Sequence, residues 1–105
     1  MKYKVERTDT ADSLIRMIVL CIAENFGRDV ALKKLDYLEE SIMNLGDNPY
    51  IGAEPRYNVL RRQGYLVLVL EKDLVFYKVD DKKKLVTVYA VVDQRQDYLS
   101  IIRGL

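Results

Sequence analysis

Hydrophobic and polar positions alternate with two different periods along the chain. Residues 3–7 alternate between apolar and polar side chains, which predicts a short strand with one covered face. From Ala11 to Phe26, and again from Ala31 to Leu45, apolar residues recur at every third or fourth position, which predicts two amphipathic helices. A link this short between two helices favours an antiparallel helical hairpin.

Helix-ending residues mark the limits of this hairpin. Asp9 or Thr10 is expected to cap the first helix, since both can accept a hydrogen bond from the first turn. Gly27 separates the two helices, and Gly46 with Pro49 ends the second. The segment 49–56 is interpreted as an ordered loop.

The second half of the chain has the composition of strands. Runs rich in Val, Leu, Tyr and Phe are separated by short polar links, which permit only antiparallel neighbours; these runs are Tyr57–Arg62, Tyr65–Leu70, Leu74–Val79 and Leu85–Val92. The first two can be separate strands or one long strand bent at Gly64, and we favour the bent strand. Residues 97–102 predict a short final helix with Leu99 and Ile102 turned inward.

These elements together predict an α+β fold in the order βααβββ. An antiparallel sheet of three to four strands packs on the helical hairpin, and a short helix follows at the C-terminal end. The first strand is placed beside a later strand, because so short a strand needs a partner. The 105 residues are enough for one domain, so residues 1–105 are treated as a single unit.

The amino-acid composition excludes several classes of metal site and catalytic site. The chain has no His and one Cys, Cys21, so the usual zinc-ligand sets and the Ser-His-Asp and Cys-His pairs cannot be assembled. No metal or other cofactor is therefore expected. The start lacks the apolar core of a secretory signal, and the longest apolar run, Leu14–Ala23, is far shorter than the about 20 residues of a membrane helix. We expect a soluble cytoplasmic protein that does not enter a membrane.

The net charge of +1 conceals an uneven distribution of charge. Acidic residues dominate residues 9–48, whereas basic residues dominate the remainder, so the sheet side is the expected face for an anionic partner. The alternative is that these cations are ordinary solvating charges. The basic residues that could form one patch are Lys2, Lys4, Arg7, Arg56, Arg61, Arg62, Lys78, Arg95 and Arg103. The run Lys82–Lys84 is interpreted as a solubilising turn.

The first helix carries more apolar residues than one buried face requires. Met17, Leu20 and Cys21 widen its apolar stripe. We interpret them as core residues, with a docking surface for another chain as the alternative. A homodimer is accordingly one possible assembly.

Several local strings, taken in order, resemble a known family. They are the start Met1–Val5, the helical string Ile22–Phe26, the loop Pro49–Gly52, the strand Leu74–Asp81 and the end Asp93–Leu99. Together they resemble the RelE/ParE superfamily of small bacterial toxins, also called plasmid stabilisation proteins, over nearly the whole chain. The resemblance implies a βααβββ layout and a cytoplasmic toxin encoded beside an antitoxin whose segment wraps the toxin.

The resemblance also implies two candidate catalytic residues. The RelE-like arginine near the end of the domain matches Arg95, and the aromatic acid or base that follows it matches Tyr98. Leu74 stands where many RelE-like members have an arginine, and the run 66–70 has Leu and Val where they have lysines. The structural alternatives are an ion pair of Arg95 with Asp93 or Asp97, and packing of the Tyr98 ring on the sheet.

Four other cations are candidates for binding nucleic acid or an antitoxin: Arg56, Arg61, Arg62 and Lys78. Arg61 and Arg62 adjoin the predicted bend, and neighbours on a strand alternate faces, so at least one should point outward to a phosphate or carboxylate.

Three functions are compatible with these residues. The RelE-like label, preferred on overall similarity, implies a metal-independent endoribonuclease that cleaves messenger RNA on the ribosome. The ParE-like branch implies inhibition of DNA gyrase, which needs contact surface and no acid or base. The third is an interaction domain that has lost toxicity.

Overall fold

The computed structural model describes residues 2–95 and 101–102 of the chain. The elements follow in this order: β1 Lys4–Arg7, α1 Asp9–Phe26, α2 Arg28–Met43, a 3₁₀ turn Asn44–Gly46, α3 Asn58–Arg62, β2 Leu66–Val69, β3 Asp73–Asp80 and β4 Leu85–Asp93. The predicted helical hairpin and the predicted order of strands are therefore confirmed.

The four strands form one mixed sheet in the order β1-β4-β3-β2. The β2–β3 and β3–β4 pairs are antiparallel, as the short links between them require. The pair β1–β4 is parallel, with Lys4 opposite Leu85 and Arg7 opposite Val88, so the prediction of an entirely antiparallel sheet was wrong for this pair. The chain returns to β1 only after the long crossover through both helices, and link lengths cannot fix the direction of that pairing.

The side chain of Thr8 caps the N-terminal end of α1. Its hydroxyl accepts a hydrogen bond from the backbone N–H of Ala11 at 3.1 Å and donates one to the carbonyl of Tyr89 at 3.4 Å. Thr8 therefore caps the helix and also ties its first turn to β4. The predicted cap at Asp9 or Thr10 was one or two residues too late, because both lie inside the helix.

The sheet is packed on both faces. Its helix-side face is covered by α1 and α2, and the buried residues there are Ala11, Ile15, Leu38, Ile42, Leu45, Val75, Tyr77, Val86, Val88 and Val91. Its outer face carries a second buried cluster made of Leu60, Tyr65, Val67, Phe76, Ala90, Val92 and Ile102. Alternate residues of β3 supply the two clusters, as the two-residue period of a strand requires.

The segment expected to be a bent strand is a short helix. Asn58–Arg62 forms α3, and Gly64 has φ +88°, a left-handed conformation that favours glycine. The N–H of Tyr65 donates to the carbonyl of Leu60 at 3.2 Å, and the N–H of Gly64 donates to that of Arg61 at 3.0 Å. This pair of bonds is a Schellman cap, and the contact between Leu60 and Tyr65 in the outer cluster completes it.

The outer face is therefore not an open cationic surface, contrary to the sequence-based expectation. Leu60 of α3, together with Tyr65 and Ile102, covers the part of the sheet formed by Phe76, Ala90 and Val92. Ile101 and Ile102 are helical, in agreement with the predicted final helix, and Ile102 is buried as predicted. Leu99 and the rest of that helix lie outside the described residues.

The outer side of α1 is exposed rather than buried. Met17 and Leu20 are 64% and 54% accessible, and Cys21 is also exposed. The core assignment of these three residues was wrong, because the sheet and α2 cover only the opposite side of α1, around Ala11 and Ile15.

Candidate functional site

Arg95 lies in the turn that follows β4, with a side chain 89% exposed. Its guanidinium donates to Asp93 through Nε at 3.1 Å and Nη2 at 3.3 Å, and its backbone N–H donates to the same carboxylate at 2.8 Å. These bonds lower the pKa of Asp93 and raise that of Arg95. The ion pair weighed as a structural alternative is thus present, and it leaves the guanidinium exposed. Tyr98 lies outside the described residues.

Lys78 projects from the middle of the outer face towards two aromatic rings. Its Nζ lies 4.5 Å from the ring centre of Tyr65 and 5.2 Å from that of Tyr89. The two rings meet edge to face with centres 5.5 Å apart, which is a favourable geometry for both the pair and the cation. Burial raises the pKa of the Tyr65 hydroxyl.

A β-bulge places Tyr89 in this cluster. Phe76 lies opposite Ala90 and Tyr77 lies opposite Val88, so Tyr89 is one extra residue on β4. The run of apolar residues in β4 gave no sequence signal for this irregularity.

Other predicted cations belong to α3, to the loop before it and to β1. Arg61 and Arg62 are both exposed on α3, where Arg61 donates to the Asn58 side chain, and Arg56 is exposed in the preceding loop. Arg7 shares the helix-side face with Val5 and does not belong to an outer basic patch, because side chains two residues apart point the same way.

Lys78 and the turn that carries Arg95 do not form one site. Lys78 is five residues along β3 from Asp73, and Asp73 lies opposite Asp93 at the end that carries Arg95. At strand spacing this separates Lys78 from Asp93 by about 17 Å along the sheet. The two positions also belong to opposite faces, since Asp73 and Asp93 alternate with the outer-face residues.

A buried ion pair lies beside the Arg95 turn and was missed from the sequence. Lys34 of α2 donates to the carboxylate of Asp73, which is only 2% exposed, while the Lys34 side chain is 16% exposed. In the sequence, Asp73 belongs to a short polar link between two predicted strands. No local pattern predicts its contact with Lys34, which lies 39 residues earlier in a helix.

A second missed cluster joins the N-terminal strand to the β3–β4 turn. The hydroxyls of Tyr3 and Tyr50 each donate to the carboxylate of Asp81 at 2.5 Å. These bonds lower the pKa of Asp81 and raise the pKa of Tyr50 to about 12. The cluster fixes the position of the Lys82–Lys84 turn, whose backbone N–H groups at Lys82 and Lys83 donate to Asp80.

A groove runs between α1, α2 and β1. Arg7 crosses it, with Nε 2.9 Å from Asp12 Oδ1 of α1 and Nη1 3.5 Å from Glu39 Oε2 of α2. Cavities of about 430 and 340 Å³ share these three residues in their walls. Their other walls are mostly apolar; they include Val5, Ile42 and Met43 in the larger cavity and Ile15, Val19, Leu20 and Leu35 in the smaller. The groove can accept apolar side chains of a partner on both sides of a charged centre.

A match to a family model shows which protein family the chain belongs to. Residues 5–98 match the family described as the ParE toxin of the type II toxin-antitoxin system parDE. The chain belongs to the ParE toxin family. No curated protein sequence matches it. The RelE/ParE resemblance stated from the sequence is therefore confirmed at the level of the superfamily.

Solved structures of such toxins share the fold of this ParE family member. The chromosomal ParDE system of P. aeruginosa gives a TM-score of 0.73 at 18% identity, covering 88% of this chain and 96% of that one. The toxin-antitoxin complex RelBE2 of Mycobacterium tuberculosis gives 0.67 at 19% identity, covering 90% and 100%. A free mutant of the E. coli toxin RelE gives 0.62 at 18% identity, with both chains fully covered. At these identities the likeness establishes the α+β fold alone.

Within the described residues, no helix of the ParE family member is long and apolar enough to cross a membrane.

Proposed function

We propose that this ParE family member is a toxin that arrests growth by binding a large target, without cleaving RNA itself. DNA gyrase is the target that the ParE-like resemblance implies. The observation that carries the proposal is the separation of Lys78 from the turn that carries Arg95, by about 17 Å along the sheet and on opposite faces. RNA cleavage needs a base, an acid and a cation within hydrogen-bond reach of one phosphate, whereas binding needs only an ordered surface.

Arg95 is the contact residue that we assign to this binding. Its guanidinium is exposed, while Asp93 holds Nε and Nη2 in place, so little side-chain freedom is lost when an anionic group of the target binds. Arginine is well suited to carboxylate and phosphate groups because its donors lie in one plane.

Cleavage of ribosome-bound messenger RNA is the second candidate function. Its support is the exposure of Arg95 at the position that matches the RelE-like arginine, three residues before Tyr98. In this alternative Arg95 would stabilise the charge that develops on the phosphate, and Tyr98 would act as the acid or base.

Induced expression of the toxin separates the two functions. We expect early DNA damage and cell filamentation while messenger RNA stays intact, and inhibition of purified gyrase in a supercoiling assay. Arg95→Ala should weaken gyrase inhibition at least tenfold, whereas Arg28→Ala, an exposed arginine at the start of α2, should not change it. Early cleavage of messenger RNA that disappears in Arg95→Ala would instead establish the ribonuclease.

We further propose that a cognate antitoxin neutralises the toxin by occupying the groove between α1, α2 and β1. The mostly apolar cavity walls suit an amphipathic segment, and the Arg7–Asp12–Glu39 cluster offers it both signs of charge. The antitoxin would then bind the helix side of the molecule.

A further inference from the structure

Two carboxylates face each other across the β3–β4 pair at the end of the sheet that carries Arg95. Asp73 lies directly opposite Asp93 in the register, and opposite residues of antiparallel strands project from the same face. Asp73 is almost completely buried and Asp93 is about one-third exposed. Like charges in this arrangement repel each other and destabilise the pair.

Each carboxylate has a cation of its own: Arg95 pairs with the exposed Asp93, and Lys34 pairs with the buried Asp73. The Lys34 Nζ forms the ion pair with Asp73, and its charge also lowers the pKa of Asp93, although less than the hydrogen bonds from Arg95 do. The Lys34 side chain reaches this position from α2 and lies largely out of solvent, with its Nζ 5.8 Å from the ring centre of Tyr37.

The turn that carries Arg95 is held by further bonds to the β2–β3 hairpin. Gln94 donates from its side chain to the carbonyl of Leu70 at 2.6 Å and from its backbone to that of Lys72 at 3.0 Å. These bonds hold the backbone after Asp93, and the pairing of Val92 with Leu74 holds the backbone before it. The orientation of the Arg95 side chain then depends on where the Asp93 carboxylate points.

We propose that Lys34 is a positioning residue for Arg95. Lys34 offsets the repulsion between the Asp73 and Asp93 carboxylates. It thereby holds the Asp93 carboxylate in the position where it binds the Arg95 guanidinium. Asp73 transmits the effect, because it anchors Lys34 in the buried position. The importance of this arrangement for toxicity rests on the proposed function of Arg95, whereas the positioning itself does not.

Arginine side-chain NMR tests the positioning directly. In the toxin we expect the Nε–H of Arg95 to have a higher order parameter than the Nε–H of the exposed Arg28, and Lys34→Met to lower it to the Arg28 value. Lys33→Met, at the exposed neighbouring position, should leave the value unchanged. An unchanged Arg95 order parameter in folded Lys34→Met would overturn the proposal.

A double substitution separates positioning from loss of folding. Lys34→Met alone leaves Asp73 buried without its partner and should lower the unfolding midpoint as well. Lys34→Met combined with Asp73→Asn removes both buried charges, so Asp93 has no opposing carboxylate and the order of Arg95 should return. If stability recovers in the double variant but the order of Arg95 does not, the neutralising role of Lys34 is wrong.

Growth arrest connects this result to the proposed function. At matched toxin levels, Lys34→Met should reduce growth arrest as Arg95→Ala does, and adding Lys34→Met to Arg95→Ala should cause no further loss. An additive loss would show that Lys34 acts independently of Arg95 and would overturn the proposal. If Arg95→Ala arrests growth normally, the proposed function of Arg95 fails, and the NMR comparison still decides the positioning role.

Discussion

At each end of the β3–β4 pair, one carboxylate accepts several hydrogen bonds. Asp93 holds Arg95 through three bonds at one end, and Asp81 accepts the hydroxyls of Tyr3 and Tyr50 at the other. Both carboxyl groups have a lowered pKa because hydrogen-bond donors stabilise the ionised form. Ionisation of these two residues is therefore coupled to folding.

Acid sensitivity should reveal the contribution of Asp81. Because its folded-state pKa lies below the ordinary value of 3.8, ionised Asp81 stabilises the fold at neutral pH, and this contribution disappears as the pH falls through the folded-state value. Asp81→Asn should therefore be less stable than the wild type in urea at pH 7 and pH 5, and the difference should shrink at pH 3.

The matched control is Asp36→Asn, an exposed carboxylate on α2. It should not produce the same pH-dependent difference. A deficit in Asp81→Asn that stays constant from pH 7 to pH 3 would contradict this assignment.

At the scale of elements, the sequence predicted the helices and strands whose apolar residues repeat regularly. It missed the features that depend on contacts between residues far apart in the chain. The two helices and the strands β3 and β4 were recognisable because their apolar residues repeat at the spacing of one packed face. The segment 58–62 was misjudged because five residues are too few to show a period, and because a glycine after an apolar run has two meanings. Gly64 is a helix cap only because Tyr65 and Leu60 meet in the outer cluster.

The same limit applies to the site. The exposed Arg95 and its Asp93 partner are close in sequence, so their ion pair could be weighed in advance. The Lys34–Asp73 pair and the Tyr3–Asp81 bond join residues 39 and 78 positions apart, and no local pattern indicates either. Tertiary packing alone brings them together.

Substitution of Gly64 should distinguish a helix cap from a strand bend. No atom lies within 4 Å of a Cβ placed there, so Gly64→Ala introduces no clash and its cost arises from the left-handed backbone. We expect a loss of about 1–2 kcal/mol in the free energy of unfolding, measured in urea. Gly64→Asn should cost less, because asparagine tolerates this conformation better.

Equal stability of wild type and Gly64→Ala would show that the left-handed cap does not form in solution.

At the scale of the whole molecule, the two sides of the sheet have different surroundings. The helix side carries the groove crossed by Arg7, whereas the outer side carries α3 and the Lys78 aromatic cluster. Arg95 follows β4 at the end of the sheet and is not among the described residues that line the groove. Neutralisation through the groove and action through Arg95 should therefore respond to different substitutions.

Arg7→Ala provides this separation. The substitution removes the bridge between Asp12 and Glu39 and leaves two acids without their cation in the proposed antitoxin groove. We expect a co-expressed cognate antitoxin to rescue growth less well, with about a tenfold loss of affinity by calorimetry, while growth arrest without antitoxin is unchanged.

The control is Arg28→Ala, at the far end of α2, which should be neutralised normally. Full antitoxin affinity in Arg7→Ala would show that the antitoxin does not use this groove.

The parallel pairing of β1 with β4 delays formation of the sheet while the chain is being synthesised. The Thr8 hydroxyl donates to the carbonyl of Tyr89, 81 residues later, and among the described strands β1 is an edge strand that pairs with β4. A chain still leaving the ribosomal tunnel can form its helices, which need local contacts, but it cannot close the sheet. The strand that precedes Arg95 must therefore leave the ribosome before β1 finds its partner, so the sheet that carries this arginine closes late in synthesis.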